Sequence, residues 1–279
     1  LFYSVLALGW TGTERQQRVL NRAIAILAVL VIPIAVSVHS VVSFVFSMTL
    51  QPGWHSTIFG PYFVVGAIFS GIAALIVAMI AFRKAYGLES YLKPIHFRYL
   101  GQLLLVMSLL WFYFTFAEYL TGYYGNDPEE MKVFWSKFTG PFWPFFWGMV
   151  LTNFAIPVLC LMRLGRRTIG KVLVASLAVT VGMWLERFII VVPTLSNPRL
   201  PFGEGLYWPT WVEWGEMVGS FALFALFYVL FTKVFPVISI WEIREGREVG
   251  LKEVEERLLT YLPDAAEPDV VGKRTEAVK

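Results

Sequence analysis

The sequence predicts an all-α protein, a polytopic bundle of about six transmembrane helices. Three observations carry this. Between Asn21 and Pro236 lie six apolar segments, each near the ~20 residues that a helix needs to cross a bilayer. Charged residues are only 15% of the chain and apolar ones 57%, whereas soluble domains run to about a quarter charged. Lys and Arg collect in every second connection, the asymmetry that orients membrane helices.

The elements follow in order. Leu1–Trp10 (LFYSVLALGW) is apolar, too short to span and without the charged front of a signal peptide. Residues 1–22 read as a linker after an upstream element, and the chain as the C-terminal portion of a longer membrane protein. The first span runs from about Ala23 to Phe46, with Pro33 permitting a kink. The second, about Pro61 to Phe82, carries Gly66, Ser70 and Gly71, small residues that let a neighbouring helix approach. The third is about Tyr99–Tyr119, and the fourth, dense in Trp, Phe and Pro at its start, about Pro141–Met162. The fifth and sixth are about Val172–Val192 and Val212–Phe235. Together 23–236 form the transmembrane bundle. Residues 237–262 have mixed charge and helical spacing, which predicts a surface helix. Residues 263–279 are polar and expected to be disordered.

Arg15, Arg18 and Arg22 precede the first span; Arg83, Lys84, Lys93 and Arg98 separate the second and third; Arg163, Arg166, Arg167 and Lys171 separate the fourth and fifth. These sides and the C-terminus are expected to be cytoplasmic. The connections holding Trp54-His55, Asn126-Asp127 and Pro201–Trp208 then face outward. With that orientation His39, Glu118, Glu186–Arg187, Glu213 and Glu216 all fall toward the outer leaflet, which predicts one polar pocket beneath that face. Ionisable groups in hydrocarbon are costly and mark functional paths or buried pairs.

Each candidate has two readings. His39, flanked by Ser37, Ser40 and Ser43, suits a bond to a quinone oxygen or a proton shuttle, or simply a bond to a helix carbonyl. Glu118 can take protons from a reduced substrate, or sit in an interfacial aromatic belt. Glu186 and Arg187 point about 100° apart on a helix, so each needs its own partner from another helix, in a proton path or a structural network. Glu213 and Glu216 open a helix, where the macrodipole favours acids. His55 is a loop residue near the pocket mouth, and Asn153 is free to bond across helices.

Several classes are excluded or unsupported. One cysteine, Cys160, rules out a disulfide within the chain and a cysteine-ligated cluster. Three histidines, two of them at helix ends or loops, leave no intramembrane pair for haem. No phosphate-binding glycine loop is present, and the net charge of +3 comes from clusters beside the spans and does not point to nucleic acid. A secondary transporter lacks its usual internal repeat.

The stretch PGWHSTIFGPYFVVGAIFSG (Pro52–Gly71) is distinctive. With LALGWTG (Leu6–Gly12), IPIAVSVHSVVSF (Ile32–Phe44), FAEYLTGYYG (Phe116–Gly125), GMWLERFIIVVPTL (Gly182–Leu195) and PTWVEWGEMVGSFALF (Pro209–Phe224) it resembles the NrfD/PsrC-like quinone-interacting membrane subunits. Within that family it looks most like ActC and ActF of alternative complex III and the related DsrP-type subunits. The resemblance implies two four-helix bundles with flanking helices in a bacterial cytoplasmic membrane. It implies a quinol (menaquinol or ubiquinol) site, no haem, iron–sulfur cluster or metal on this chain, and partners that include an iron–sulfur subunit and other membrane subunits. Carried over, His39 matches the family histidine, Glu118 the helix-end carboxylate, and Glu186–Arg187 the Leu-Glu-Arg-Phe motif. His39, Ser43, His55 and Glu118 are the expected headgroup ligands, and His39, Glu118, Glu186 and Arg187 the expected proton-handling set. The function implied is quinol oxidation near the outer leaflet, with electrons passed to the adjacent subunit and protons released outward. One departure matters: quinol-binding members often carry an acid in a Ser-Phe-Asp-Phe-like stretch, and here Ser43-Phe44-Val45-Phe46 puts valine there. The alternative is a paralogous scaffold or proton-conducting subunit of the same kind of complex.

Overall fold

A computed structural model describes residues 9–163, 168–198 and 207–235. The surface helix expected at 237–262 and the tail at 263–279 lie outside the described residues, as do Arg166, Arg167 and Arg199. Among the described residues every regular element is helical, and six helices are long and apolar enough to cross a membrane.

Helix α1 (Glu14–Ser47) starts ahead of the apolar stretch because Thr13 caps it, its side chain accepting from the Gln16 amide. Helix α2 spans Phe59–Ala85 and ends on Arg83 and Lys84, cations suited to a helix C-terminus. Helix α3 (Pro94–Gly125) opens on a proline, whose missing amide costs nothing there. It closes at Asn126, which adopts a left-handed conformation (φ 50°) that Asn tolerates better than most residues.

A short helix not anticipated from the hydropathy follows at once. Helix α4 (Pro128–Phe138) is capped by Asp127, which accepts from the Glu129 amide at 3.0 Å. Pro128 holds its first position, and Glu129 and Glu130 lie in its first turn. Val133 and Lys137, one turn apart, are its buried face. Its exit at Gly140 runs so close to the preceding turn that a Cβ there would meet Ser136 Cα at 2.6 Å.

The fourth span is broken into α5 (Trp143–Val150), a π-helical turn (Leu151–Ala155) and α6 (Ile156–Leu161). The cause is Pro157, which cannot donate to the carbonyl of Asn153. That carbonyl is satisfied instead by the Ser108 hydroxyl of α3, at 2.6 Å. Helix α7 (Ile169–Ser196) passes the turn at Gly182, where a Cβ would collide with the Asn153 and Thr152 side chains.

The described residues divide into two compact units, one ending at Tyr207 and one beginning at Trp208. In the first, α2, α3, the α5–α6 span and α7 pack around a shared apolar core, α1 lies along α2, and α4 joins α3, α5 and α7. Phe69, Ala73, Ile76, Leu104, Trp111, Leu161, Val172, Ala175 and Val179 are sealed in that core. In the second unit α8 (Trp211–Val234) is opened by a capping box: the Thr210 hydroxyl receives the Glu213 amide, and the Glu213 carboxylate receives the Thr210 amide at 2.6 Å. Glu213 therefore has a structural use at this helix start.

Candidate functional site

The connection between α1 and α2 is pinned to the bundle by Trp54. Its indole nitrogen donates to the Ile190 carbonyl of α7 at 2.8 Å, and its ring meets Phe46 edge-on at 5.1 Å. This anchoring holds His55, Ser56 and Thr57 over the end of α3. The result is a cavity of about 480 Å³ walled by residues 53–59, Tyr62 of α2, Ala117, Glu118, Tyr119, Thr121 and Gly122 of α3, Ile190 of α7 and one face of α4. A volume of this order accommodates a ring-sized ligand.

The polar groups on its wall form a set. The Ser56 hydroxyl donates to Glu118 Oε2. His55 Nε2 lies 2.9 Å from Glu130 Oε1, while His55 Nδ1 faces the Gln51 carbonyl at 3.1 Å. Lys137 enters from α4, only 7% exposed, with its ammonium 5.6 Å from the centre of the Tyr119 ring. Burial pulls this lysine down to about 8, against the opposing field of the Glu118 carboxylate. Aromatic rings complete the wall: Tyr119 meets Phe134 edge-on at 6.1 Å and is braced from behind by Phe138 and Phe146 at 5.4 and 5.1 Å.

One step deeper lies the second acidic group. Glu186 of α7 is 1% exposed and accepts from the Trp111 indole of α3 at 2.5 Å. Tyr62 stands beside it and also lines the cavity. Among the described residues Glu186 Oε2 has no hydrogen-bond partner. Arg187 turns the other way and lies over the Phe63 ring at 4.3 Å. Both side chains close on Gly66 of α2, where Glu186 Oε2 and Arg187 Nη2 would each sit 3.5 Å from an added Cβ. Each of the adjacent pair has thus found a partner on a different helix, as their angular separation requires.

The expected residues therefore divide. Glu118 and His55 are brought to one cavity. Glu186 sits beside Tyr62 of the cavity wall, and Arg187 lies against Phe63 and Gly66 of α2. His39 and Ser43 are not on its wall. Ser43 is buried where α1 meets Gly60 of α2, and its hydroxyl donates to the Ser40 carbonyl at 2.7 Å. His39, one turn away, has Nδ1 2.8 Å from the Ala35 carbonyl of its own helix. The sequence reading missed Lys137, Glu130, Ser56 and Tyr62. The first two were legible in principle: Asp127-Pro128 is a helix start, and Val133 and Lys137 then share a face.

Comparison with known proteins agrees with this architecture. Residues 5–197 match the family described as polysulphide reductase, NrfD. The chain is 27% identical over 263 residues to a selenate reductase subunit of Mesobacillus selenatarsenatis, covering 86% of this chain and 59% of that protein. It is 29% identical over 251 residues to the Hdr-like menaquinol oxidoreductase integral membrane subunit of Archaeoglobus fulgidus, covering 81% of this chain and 61% of that one. The chain thus spans about three fifths of the length of these relatives. A family match over most of the chain and six helices able to cross a bilayer lead to one statement: this is a multi-pass helical membrane protein of the NrfD polysulphide reductase family.

Proposed function

We propose that this chain is the quinol-binding membrane subunit of an electron-transfer complex, of the kind found in alternative complex III. In this reading the cavity beside Glu118 takes the quinol headgroup at the outer leaflet of a bacterial cytoplasmic membrane. Electrons pass to an iron–sulfur subunit docked nearby, and protons leave on the same side. The observation that carries the reading is a single cavity that combines a carboxylate, a buried ammonium, a His–Glu pair and aromatic walls. A carboxylate within reach of a quinol hydroxyl can act as general base. Ser56 orients that carboxylate by donating to one oxygen. The His55–Glu130 pair offers a next acceptor on the cavity wall. The Archaeoglobus relative is named as part of a menaquinol oxidoreductase, which agrees with a quinol substrate here. His39 and Ser43 stay in the proposal as the contribution of α1, acting outside the cavity wall. The test is a structure of the assembled complex with a quinone-site inhibitor. Inhibitor density within hydrogen-bond reach of Glu118 supports the reading, and density confined to another site overturns it.

A second reading is a proton-conducting or scaffolding subunit. It draws on a different observation: Asn153, Ser176 and Glu186 carry buried polar atoms that lack partners among the described residues. Polar atoms of this kind ordinarily hold water. Ordered waters running from Glu186 past Asn153 toward Ser176, in a complex whose cavity binds no inhibitor, would favour it.

A further inference from the structure

Lys137 is a largely buried cation that, among the described residues, has no ion-pair partner in contact with it. The other lysine of α4, Lys132, behaves ordinarily: it is exposed and pairs with Glu129 at 3.3 Å. Lys137 is 7% exposed, and among the described residues its ammonium makes no hydrogen bond or ion pair. It has the face of Tyr119 and, across the cavity, the field of Glu118. Burying an ammonium in this state is costly. A lysine at a helix end can avoid the cost by extending its stem to water. Lys137 instead sits on the buried face with Val133 and lines the cavity.

We propose that Lys137 is the hydrogen-bond donor that positions the ligand's polar head against Glu118. This deepens the quinol reading and rests on it. The carboxylate on one wall accepts, and the ammonium on the other donates. Such a pair selects a planar ring with a hydroxyl on one side and an acceptor oxygen on the other, and rejects a purely apolar lipid. The rings of Tyr119, Phe134 and Phe59 supply flat surfaces for that ring. Lys137 is a positioning and specificity residue for a hydroquinone headgroup.

The test uses the intact complex carrying Lys137→Met, Lys137→Arg or the control Lys132→Met. Binding is read with the fluorescent quinone-site inhibitor 2-heptyl-4-hydroxyquinoline N-oxide, and turnover with a short-chain hydroquinone. Loss of a charge-assisted hydrogen bond predicts that Lys137→Met raises KM and the inhibitor Kd about tenfold or more, with a smaller change in kcat. Lys137→Arg keeps most of the affinity, and Lys132→Met is unchanged. Wild-type affinity falls as pH rises through about 8, where Lys137 loses its proton, and this fall is absent in Lys137→Arg. The other titratable groups facing the site are His55, Tyr62, Glu118, Tyr119 and Glu130, and all are retained in that variant. Unchanged KM and Kd in Lys137→Met, with turnover still lost in Glu118→Gln, overturns the role of Lys137 and leaves the quinol reading standing. A wild-type complex that neither binds the inhibitor nor oxidises quinol overturns the reading itself. A lower melting temperature in Lys137→Met with unaltered affinity makes Lys137 structural and overturns the proposal.

Discussion

Two carboxylates occupy the same bundle in opposite circumstances. Glu118 stands on a cavity wall, held by the hydroxyl of a loop residue and facing a lysine. Glu186 is sealed in the core, held by an indole and pressed against a glycine. The first has room for a guest. The second has packed neighbours and, among the described residues, one oxygen without a hydrogen-bond partner. Both read alike in sequence, as acids within or at the end of an apolar segment. What separates them is the packing of the 48–58 connection and α4 around one and of α2, α3 and α7 around the other.

The largest expected effect breaks the sealed member. Glu186→Ala opens a void and strands the Trp111 N–H, at a cost of about 3 kcal/mol. Thermal unfolding of the detergent-solubilised complex measures it. Glu186→Gln keeps an acceptor for the indole and should recover most of the loss. An unchanged melting temperature in Glu186→Ala would erase the distinction between the two sites.

Glu118→Gln probes the open member. The amide cannot act as a base, so quinol turnover should fall by about a hundredfold, within the usual range for general-base removal. The melting temperature should move little, because Glu118 is only partly buried. Equal losses of stability and turnover would place Glu118 with the structural acids.

Lys137 sharpens the comparison through pH. Its pKa is lowered on folding from 10.5 to about 8. The charged form is therefore disfavoured in the folded protein, and the penalty is full below about 8. Between about 8 and 10.5 the unfolded chain holds more protons than the folded one, so the contribution of this group to stability rises with pH across that window. Lys137→Met should remove this rise and melt higher than the parent at pH 7. Melting curves recorded from pH 7 to 10 check both points.

The smallest effect is expected at His39. Its ring is bonded within its own helix and is not on the cavity wall. His39→Ala should change stability by less than about 0.5 kcal/mol and reduce turnover less than Glu118→Gln does. Turnover identical to wild type would remove His39 from the site and leave the Glu118 cavity as its whole extent.

Much of this molecule was legible in advance, and the reasons are local. The spans follow from runs of apolar residues, because a bilayer demands one length and tolerates little charge. Gly66 signalled a close helix contact, and α7 makes it. Helix α4 was missed because its apolar content is low and its buried face is only Val133 and Lys137. The π-helical turn was missed because Pro157 reveals a lost hydrogen bond but not the hydroxyl that replaces it.

The sequence alone determined the membrane class, the six apolar spans, the family and the acids to watch, since each is written in neighbouring residues. Only the tertiary structure decided which of those acids faces a cavity. It also placed His39 outside that cavity and enclosed Lys137 within it. These outcomes depend on contacts such as Trp54 with Ile190 and Ser56 with Glu118, which join residues far apart in the chain. Hydropathy and periodicity carry no information about such pairings, because they report which face a side chain occupies and not what it meets there.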